Sequence, residues 1–380
     1  MHITVVSSAL DPWTVPGRPD WCGRAGHLRQ TVALLTEAGV RSETVVPGRD
    51  SSAPSDSDGA VHRVRVDAAG DPAATVEEMT RRLRALWRGG RPDLVHAHHW
   101  TAALAARRAA GSDRMPLLLN VFAGERESAG DRASVQRAVA READRVLVTG
   151  SSDRSALVAD GVDPSRLDIR PVSVDVEAFR PDGPSLRRAE RPRMVTIDGV
   201  GPDSGAGHAI TVLAGVPEAE LLVAGGRPAE ERDPDRERLF AVARRCGVAD
   251  RVRFVGPVDR GAVPRLLRSA DVVVCAAPEW SAGTGALEAM ACGRAVVATA
   301  AGPQADLVVD EVSGLLVAPR DDRALLQALR DTLEHRCRRE AFGIAGRNRA
   351  TAVYDRAAAG TALLASHRSV VGEPEHAAAG

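Results

Sequence analysis

Two doubly wound α/β domains in tandem are predicted by three observations. The chain has 380 residues, beyond the roughly 250–300 at which a single hydrophobic core stops growing. Short β-branched runs alternate with segments of helical period along nearly its whole length, the pattern of parallel sheets covered on both faces. Between Pro181 and Pro192 a polar stretch with three prolines interrupts the alternation and places the domain boundary at 182/183.

Each element follows from its residues. The run His2-Ile3-Thr4-Val5-Val6 reads as a buried parallel strand leading into a loop rich in Pro, Trp and Gly. Leu28, Val32, Leu35 and Ala38 recur at helical spacing, with Gly39 where a C-cap belongs, and Val40–Val46 returns as a strand. Residues 48–59, rich in Ser, Asp and Pro, read as a surface loop. A helix over Ala74–Trp87, a strand over Asp93–Ala97, a helix from Thr101 and strands over Pro116–Phe122 and Arg145–Thr149 complete the first domain. The second has strands at Met194–Ile197, Glu220–Ala224, Val252–Val255, Val272–Cys275, Ala295–Ala298 and Gly314–Val317. The expected layout is a domain over 1–182, a second over 183–350, a terminal helix within 351–371 that returns to the first domain, and a disordered tail over 372–380. Ligand crevices lie at the carboxyl ends of such strands, and the largest is expected between the domains.

Composition narrows the chemistry. All 50 basic residues are arginine, which excludes Schiff-base lysine enzymes and Walker-type phosphate loops. Net charge is −1 with acids and bases interspersed, so no field steers the chain toward nucleic acid or anionic lipid. Five scattered cysteines without Cys-x-x-Cys spacing fit reduced thiols. Apolar runs fall short of the roughly 20 residues that span a bilayer, and the start lacks a basic flank or a small-residue cleavage pattern. A cytoplasmic protein with a small-molecule partner, without stable membrane insertion and able to form a homodimer, is the expectation.

The strongest local signal is Gly283-Thr284-Gly285 followed by Ala286-Leu287-Glu288-Ala289-Met290-Ala291-Cys292-Gly293 and the run Val296-Val297-Ala298-Thr299. It reads as a glycine turn, a helix with an early carboxylate, then a strand. Glycines let backbone approach an anion and the helix N-terminus offers free N–H groups to a phosphate. Glu288 in that setting can accept two ribose hydroxyls; it can equally do no more than complement the helix dipole. His96, His98 and His99 beside Trp100 invite a metal reading. His96 and His98 share a strand face, but no third ligand stands at a convincing spacing, and no metal site is assigned. The pairs Asp56/Asp58 and Asp233/Asp235 read as solvated loop carboxylates.

The stretch 269–319, ending in the residues just quoted, resembles the donor-binding segment of glycosyltransferase family 4, retaining enzymes of the GT-B type. Further matches follow in order: Pro92-Asp93-Leu94-Val95-His96-Ala97-His98; Pro171-x-x-Val174-Asp175-x-x-x-Phe179-x-Pro181; Asp250-Arg251-Val252-Arg253-Phe254-Val255-Gly256; and Asp310-x-x-x-Gly314-Leu315-Leu316-Val317. The resemblance is nearest the bacterial branch that includes the mycothiol-pathway enzyme, which uses a nucleotide-linked N-acetylglucosamine. It implies two doubly wound domains facing across a cleft and a nucleoside diphosphate sugar as co-substrate, with no other cofactor and no metal. It also implies that Glu288 holds the donor ribose, that Ser281, Gly283 and Thr284 meet the transferred sugar, and that Gly256 and Val258 border the base. Gly23, after Cys22, stands in the first-domain loop near the diphosphate. His98, His99, Trp100 and Asn120 fall on the acceptor side, with His98 and Glu279 as catalytic candidates.

This sequence departs from the family in three places. Where the family has a Gly-Arg and a Lys-Gly that neutralise the leaving diphosphate, this chain has 199–208, with Gly199, Gly201, Gly205 and Gly207 and neither cation. The glycines read either as a nest of N–H donors or as a flexible loop. The family's Thr-x-His-Gly segment appears as Asn120-Val121-Phe122-Ala123-Gly124, without its histidine. Its paired glutamates lie eight positions apart, whereas Glu279 precedes Glu288 by nine. The expected activity is retaining transfer of a sugar to a small-molecule acceptor, as in specialised metabolism. A catalytically degenerate partner of another transferase is the alternative, and an epimerase of similar plan fits the Leu-Glu-Ala-Met segment less well.

Overall fold

The structure is a computed structural model and describes residues 1–8, 24–48, 60–64, 71–122, 130–188 and 190–372. Gly23, Cys22, Asp56, Asp58, Ala123, Gly124, most of the predicted 48–59 loop and the 373–380 tail lie outside the described residues. The chain forms two compact units.

The first unit contains β1 (His2–Ser7), α1 (Arg24–Glu37), β2 (Arg41–Pro47), β3 (Ala60–Val64), α2 (Pro72–Trp87), β4 (Leu94–His98), α3 (Trp100–Ala110), β5 (Leu117–Val121), α4 (Gly130–Glu142), β6 (Arg145–Val148), α5 (Ser151–Ala159) and β7 (Leu167–Ile169). Among the described residues its sheet has seven strands, all parallel, in the order β3-β2-β1-β4-β5-β6-β7. Parallel strands covered on both faces need continuous apolar runs, and every residue of β4 and β5 is buried. Pro72 opens α2 behind Asp71, whose side chain accepts from the Ala73 N–H.

The second unit contains β8 (Arg193–Thr196), α6 (Ala206–Leu213), β9 (Glu220–Ala224), α7 (Pro234–Arg245), β10 (Val252–Gly256), α8 (Val263–Arg268), β11 (Val272–Cys275), α9 (Thr284–Ala291), β12 (Ala295–Thr299), α10 (Gln304–Leu307), β13 (Leu315–Val317), α11 (Asp322–Glu334) and α12 (Arg336–Val353), and α13 (Arg356–Val371) begins in it. Its six described strands run parallel in the order β10-β9-β8-β11-β12-β13. In both sheets the strand order therefore reverses once, between β1 and β4 in one unit and between β8 and β11 in the other.

The chain passes from the first unit to the second between Arg170 and Pro171, ahead of the 182/183 boundary read from the prolines. The reason is burial: Val172, Val174, Val176 and Phe179 enter the core formed by β8, β11 and α9. From Ala359 onward α13 belongs to the first unit. There Leu363 joins the core of Ile3, Leu28, Val32 and Leu35, and Ser366 Oγ donates to Asp168 Oδ2 at 2.9 Å while accepting from Arg170. Among the described residues no helix is long and apolar enough to cross a membrane.

Candidate functional site

In the second unit the loops that leave β8 and β11 border the point where strand order reverses, the place where doubly wound sheets bind ligands. Two glycines let them meet there. Gly205 has φ 76°, and a Cβ on it would lie 2.2 Å from the Ala276 carbonyl. Gly285, in the first turn of α9, gives its Cβ space to Asp198: an added Cβ would fall 2.4 Å from Asp198 Oδ1. Gly199 also has positive φ, whereas Gly201 does not. Gly207 lies inside α6, where a Cβ would meet only Leu239 at 3.7 Å. The stretch 199–208 thus combines a short turn with the start of a helix and is not a run of four turn glycines.

Glu288, one turn into α9, has only 2% of its side chain exposed and is ion-paired with Arg260 Nη1, whose own side chain is 35% exposed. Burial raises the Glu288 pKa and Arg260 opposes that rise. Arg260 stands in the turn after β10 and lays its guanidinium 4.4 Å from the centre of the Phe179 ring. The carboxyl of Asp198 is pushed up to about 7, first by burial and further by the Glu288 charge, against a hydrogen bond from Cys275; its Oδ2 has no partner.

The other second-unit candidates are placed as follows. Ser281 Oγ accepts from the Gly283 N–H at 3.0 Å, tightening the turn before Thr284 opens α9. Gly256, with φ 70°, ends β10 at an irregularity of register, and Val258 packs half-buried against the core. Glu279 is 71% exposed and ion-paired with Arg320. The loop after β8 carries no cation; Arg238 from α7 donates to the Val200 carbonyl at 2.9 Å.

In the first unit the corresponding reversal brings β1 beside β4. His98 ends β4 only 4% exposed, with neither ring nitrogen hydrogen-bonded. His99 adopts φ 89°, a strained conformation for a residue with a Cβ. It caps α3: its Nδ1 lies 2.8 Å from Thr101 Oγ1 and 3.2 Å from Ser8 Oγ. Trp100 is buried with Nε1 unpaired. Buried Asn120 links His96 and His27, at 3.0 and 3.1 Å. The rings of His96 and His98 are 4.6 Å apart and those of His27 and His98 5.6 Å. His27 and His367 were not singled out by the sequence reading, since isolated helical histidines carry no local signal. Arg260 was also missed, because its partner is 28 positions away. Among the described residues no group of three or more His, Cys, Asp or Glu is arranged to hold a metal ion.

Comparison with known proteins agrees with this architecture. The family described as "Glycosyl transferases group 1" matches residues 184–349, and "Glycosyl transferase 4-like domain" matches 23–173. The D-inositol 3-phosphate glycosyltransferase of Mycobacterium ulcerans is 30% identical over 77% of this chain and 67% of its own length. That of Mycobacterium sp. strain JLS is 32% identical over 63% of this chain. The chain spans 58% of the length of that relative. In fold, the sucrose-phosphate synthase of Thermosynechococcus elongatus superposes with a TM-score of 0.88 at 22% identity, covering 98% of this chain and 100% of that one. Anabaena HepE, solved in complex with UDP-glucose, superposes at 0.75 and 18% identity, covering 97% and 100%.

Proposed function

We propose, for a chain that belongs to the group 1 glycosyltransferases and has their GT-B architecture, that it moves a sugar from a nucleoside diphosphate sugar to a small-molecule acceptor with retention of configuration. The observation that carries this reading is Glu288: a buried carboxylate one turn inside a helix whose start is cleared by Gly283 and Gly285, at the reversal point of the sheet.

In this reading the second unit holds the donor. The ribose hydroxyls bind Glu288 through charge-assisted hydrogen bonds, each worth about 1.5–3 kcal/mol. The diphosphate sits at the start of α9 beside the turn at Gly199–Gly205, where N–H groups and the helix dipole favour negative charge. Gly256 and Val258 border the base, and Ser281 and Thr284 meet the sugar. The first unit supplies the acceptor side. His98 offers two unpartnered ring nitrogens despite its burial, so an acceptor hydroxyl that reaches it gains a hydrogen bond the protein does not otherwise make. Trp100 Nε1 offers the same. Attack on the face from which the diphosphate departs retains configuration, and the departing phosphate takes the acceptor proton; no metal is required.

Purified protein incubated with a panel of nucleotide sugars and polyol or sugar-phosphate acceptors tests this. Release of the nucleoside diphosphate with an unchanged anomeric configuration by NMR is expected; failure to bind or turn over any member sinks the reading. A second reading, a non-catalytic relative that partners another transferase, is favoured by one observation: the loop at 199–208 lacks both cations that would stabilise a leaving diphosphate. Nucleotide binding by calorimetry without turnover, across the same panel, is its signature.

A further inference from the structure

We propose that Arg260 is the cation that receives the donor's diphosphate, standing in from the end of β10 for the charge that the loop after β8 lacks. The inference rests on the donor reading above and deepens it.

A nucleoside diphosphate brings at least two negative charges into a crevice that already contains buried Glu288 and half-buried Asp198. N–H groups alone leave that charge uncompensated. The loop 199–207 has no arginine, and the chain has no lysine at all. Arg260 is the guanidinium that touches the Glu288 carboxylate, and it does so in an unsaturated way. Among the described residues only its Nη1 is hydrogen-bonded, while Nε and Nη2 have no protein acceptor.

The guanidinium is a flat fork, so one edge can remain on a carboxylate while the other takes a phosphate. Its position suits that division. The guanidinium lies over the Phe179 ring, and the side chain remains about one-third exposed rather than sealed in the core. Glu288 lies four residues beyond Thr284, the first residue of α9. At 1.5 Å per residue, a phosphate at the helix start is about 6 Å from the level of Glu288, within the span of an arginine side chain. Before donor binding Arg260 neutralises Glu288. When the ribose arrives, the same side chain keeps one nitrogen near the carboxylate and turns its free edge to the diphosphate.

Nothing in the local sequence Asp259-Arg260-Gly261 marks this role, because the pairing is set by where β10 ends relative to α9. Arg260 in this role distinguishes phosphates from nucleoside. Calorimetric titration of the full chain with UDP, GDP, ADP and dTDP identifies the preferred base. That diphosphate and its nucleoside are then compared on wild type, Arg260→Gln, Arg260→Lys and, as a charge-matched control remote from the site, Arg336→Gln.

The expected result is an affinity for the diphosphate at least tenfold weaker in Arg260→Gln, with nucleoside affinity within threefold of wild type. Arg260→Lys falls between, and the control is unchanged. Diphosphate affinity that is unchanged or stronger in Arg260→Gln overturns the inference, because Arg260 is then a plug on Glu288 or a structural ion pair. Equal weakening of nucleoside and diphosphate also overturns it, since Arg260 then acts only by holding Glu288. If Arg260→Gln does not fold, Arg260→Lys decides on the same ratio. Failure of wild type to bind any of the four diphosphates defeats the donor reading itself, a result distinct from every outcome on the variants.

Discussion

His96 and His367, 271 positions apart in the chain, meet within the first unit with His367 Nε2 3.1 Å from His96 Nδ1. The contact belongs to a line of groups: the Leu363 carbonyl, His367, His96, Asn120 and His27. Proton counting constrains it. With Asn120 Oδ1 accepting from His96, the pair of rings faces an acceptor at each end and needs three protons on four nitrogens, whereas two neutral rings carry two. Neutral rings satisfy every contact only with the Asn120 amide turned, donating to His96 Nε2 and accepting from His27 Nδ1–H.

Burial keeps these rings neutral and makes the unit acid-sensitive. His27 and His367 are each lowered from 6.5 to about 4 by desolvation, and His96 and His98 lie well below 6.5 for the same first cause. The unfolded chain takes up protons below about 6.5 while the folded chain does not, so stability falls as pH drops from 6.5, and the contributions of His27 and His367 level off below about 4. For fully buried His367 alone the loss approaches about 3 kcal/mol. Thermal melts should show the midpoint falling steadily from pH 7 to pH 4.5, and His367→Gln should shallow that slope. A midpoint that does not move over this range contradicts the neutral cluster.

A single methyl group should damage the proposed donor crevice. Gly285→Ala places Cβ 2.4 Å from Asp198 Oδ1, forcing apart the loops after β8 and β11. A destabilisation of about 1–3 kcal/mol is expected from overpacking, with loss of nucleotide affinity. Urea unfolding and nucleotide titration check both. Unchanged stability and affinity would mean that the loops yield freely.

On the proposed donor reading, Asp198 should give nucleotide affinity a pH dependence. With its carboxyl pushed up to about 7, it is largely neutral at pH 6 and charged at pH 8, where it opposes the diphosphate. The folded pKa lies above the unfolded 3.8, so the stability contributed by the neutral carboxyl is lost as pH rises from about 3.8 to about 7 and changes no further above that. Affinity should fall from pH 6 to pH 8 in wild type and stay nearly flat in Asp198→Asn. Parallel profiles for the two proteins would remove Asp198 from the donor site.

Much of the scaffold was legible in the sequence because parallel strands buried on both faces write themselves as apolar runs: Val272–Cys275 and Glu220–Ala224 were read to the residue. The strand β3 was not, since Ala60-Val61-His62-Arg63-Val64 mixes polar residues into an edge position, and β7 has only three residues. At the candidate site, Glu288 stands out in the sequence by its glycine turn and helical register. Arg260, Asp198, His27 and His367 do not, because each acquires its contacts from a partner supplied by a different element, and no local spacing encodes that meeting.

Glu279 tests how far the family pattern carries over. Its side chain is exposed and paired with Arg320, also exposed, so Glu279→Gln should change stability by less than about 0.5 kcal/mol. Turnover lost with nucleotide affinity intact would place Glu279 on the sugar. Unaltered turnover would remove it from the catalytic group.

A donor ribose resting on Glu288 is tested by calorimetric titration of wild type and Glu288→Gln with the preferred nucleoside diphosphate. The substitution keeps the shape and removes the charge. Affinity weaker by about tenfold or more is expected for losing charge-assisted hydrogen bonds, in a protein that remains folded. Equal affinity in the two proteins would rule out a ribose on Glu288.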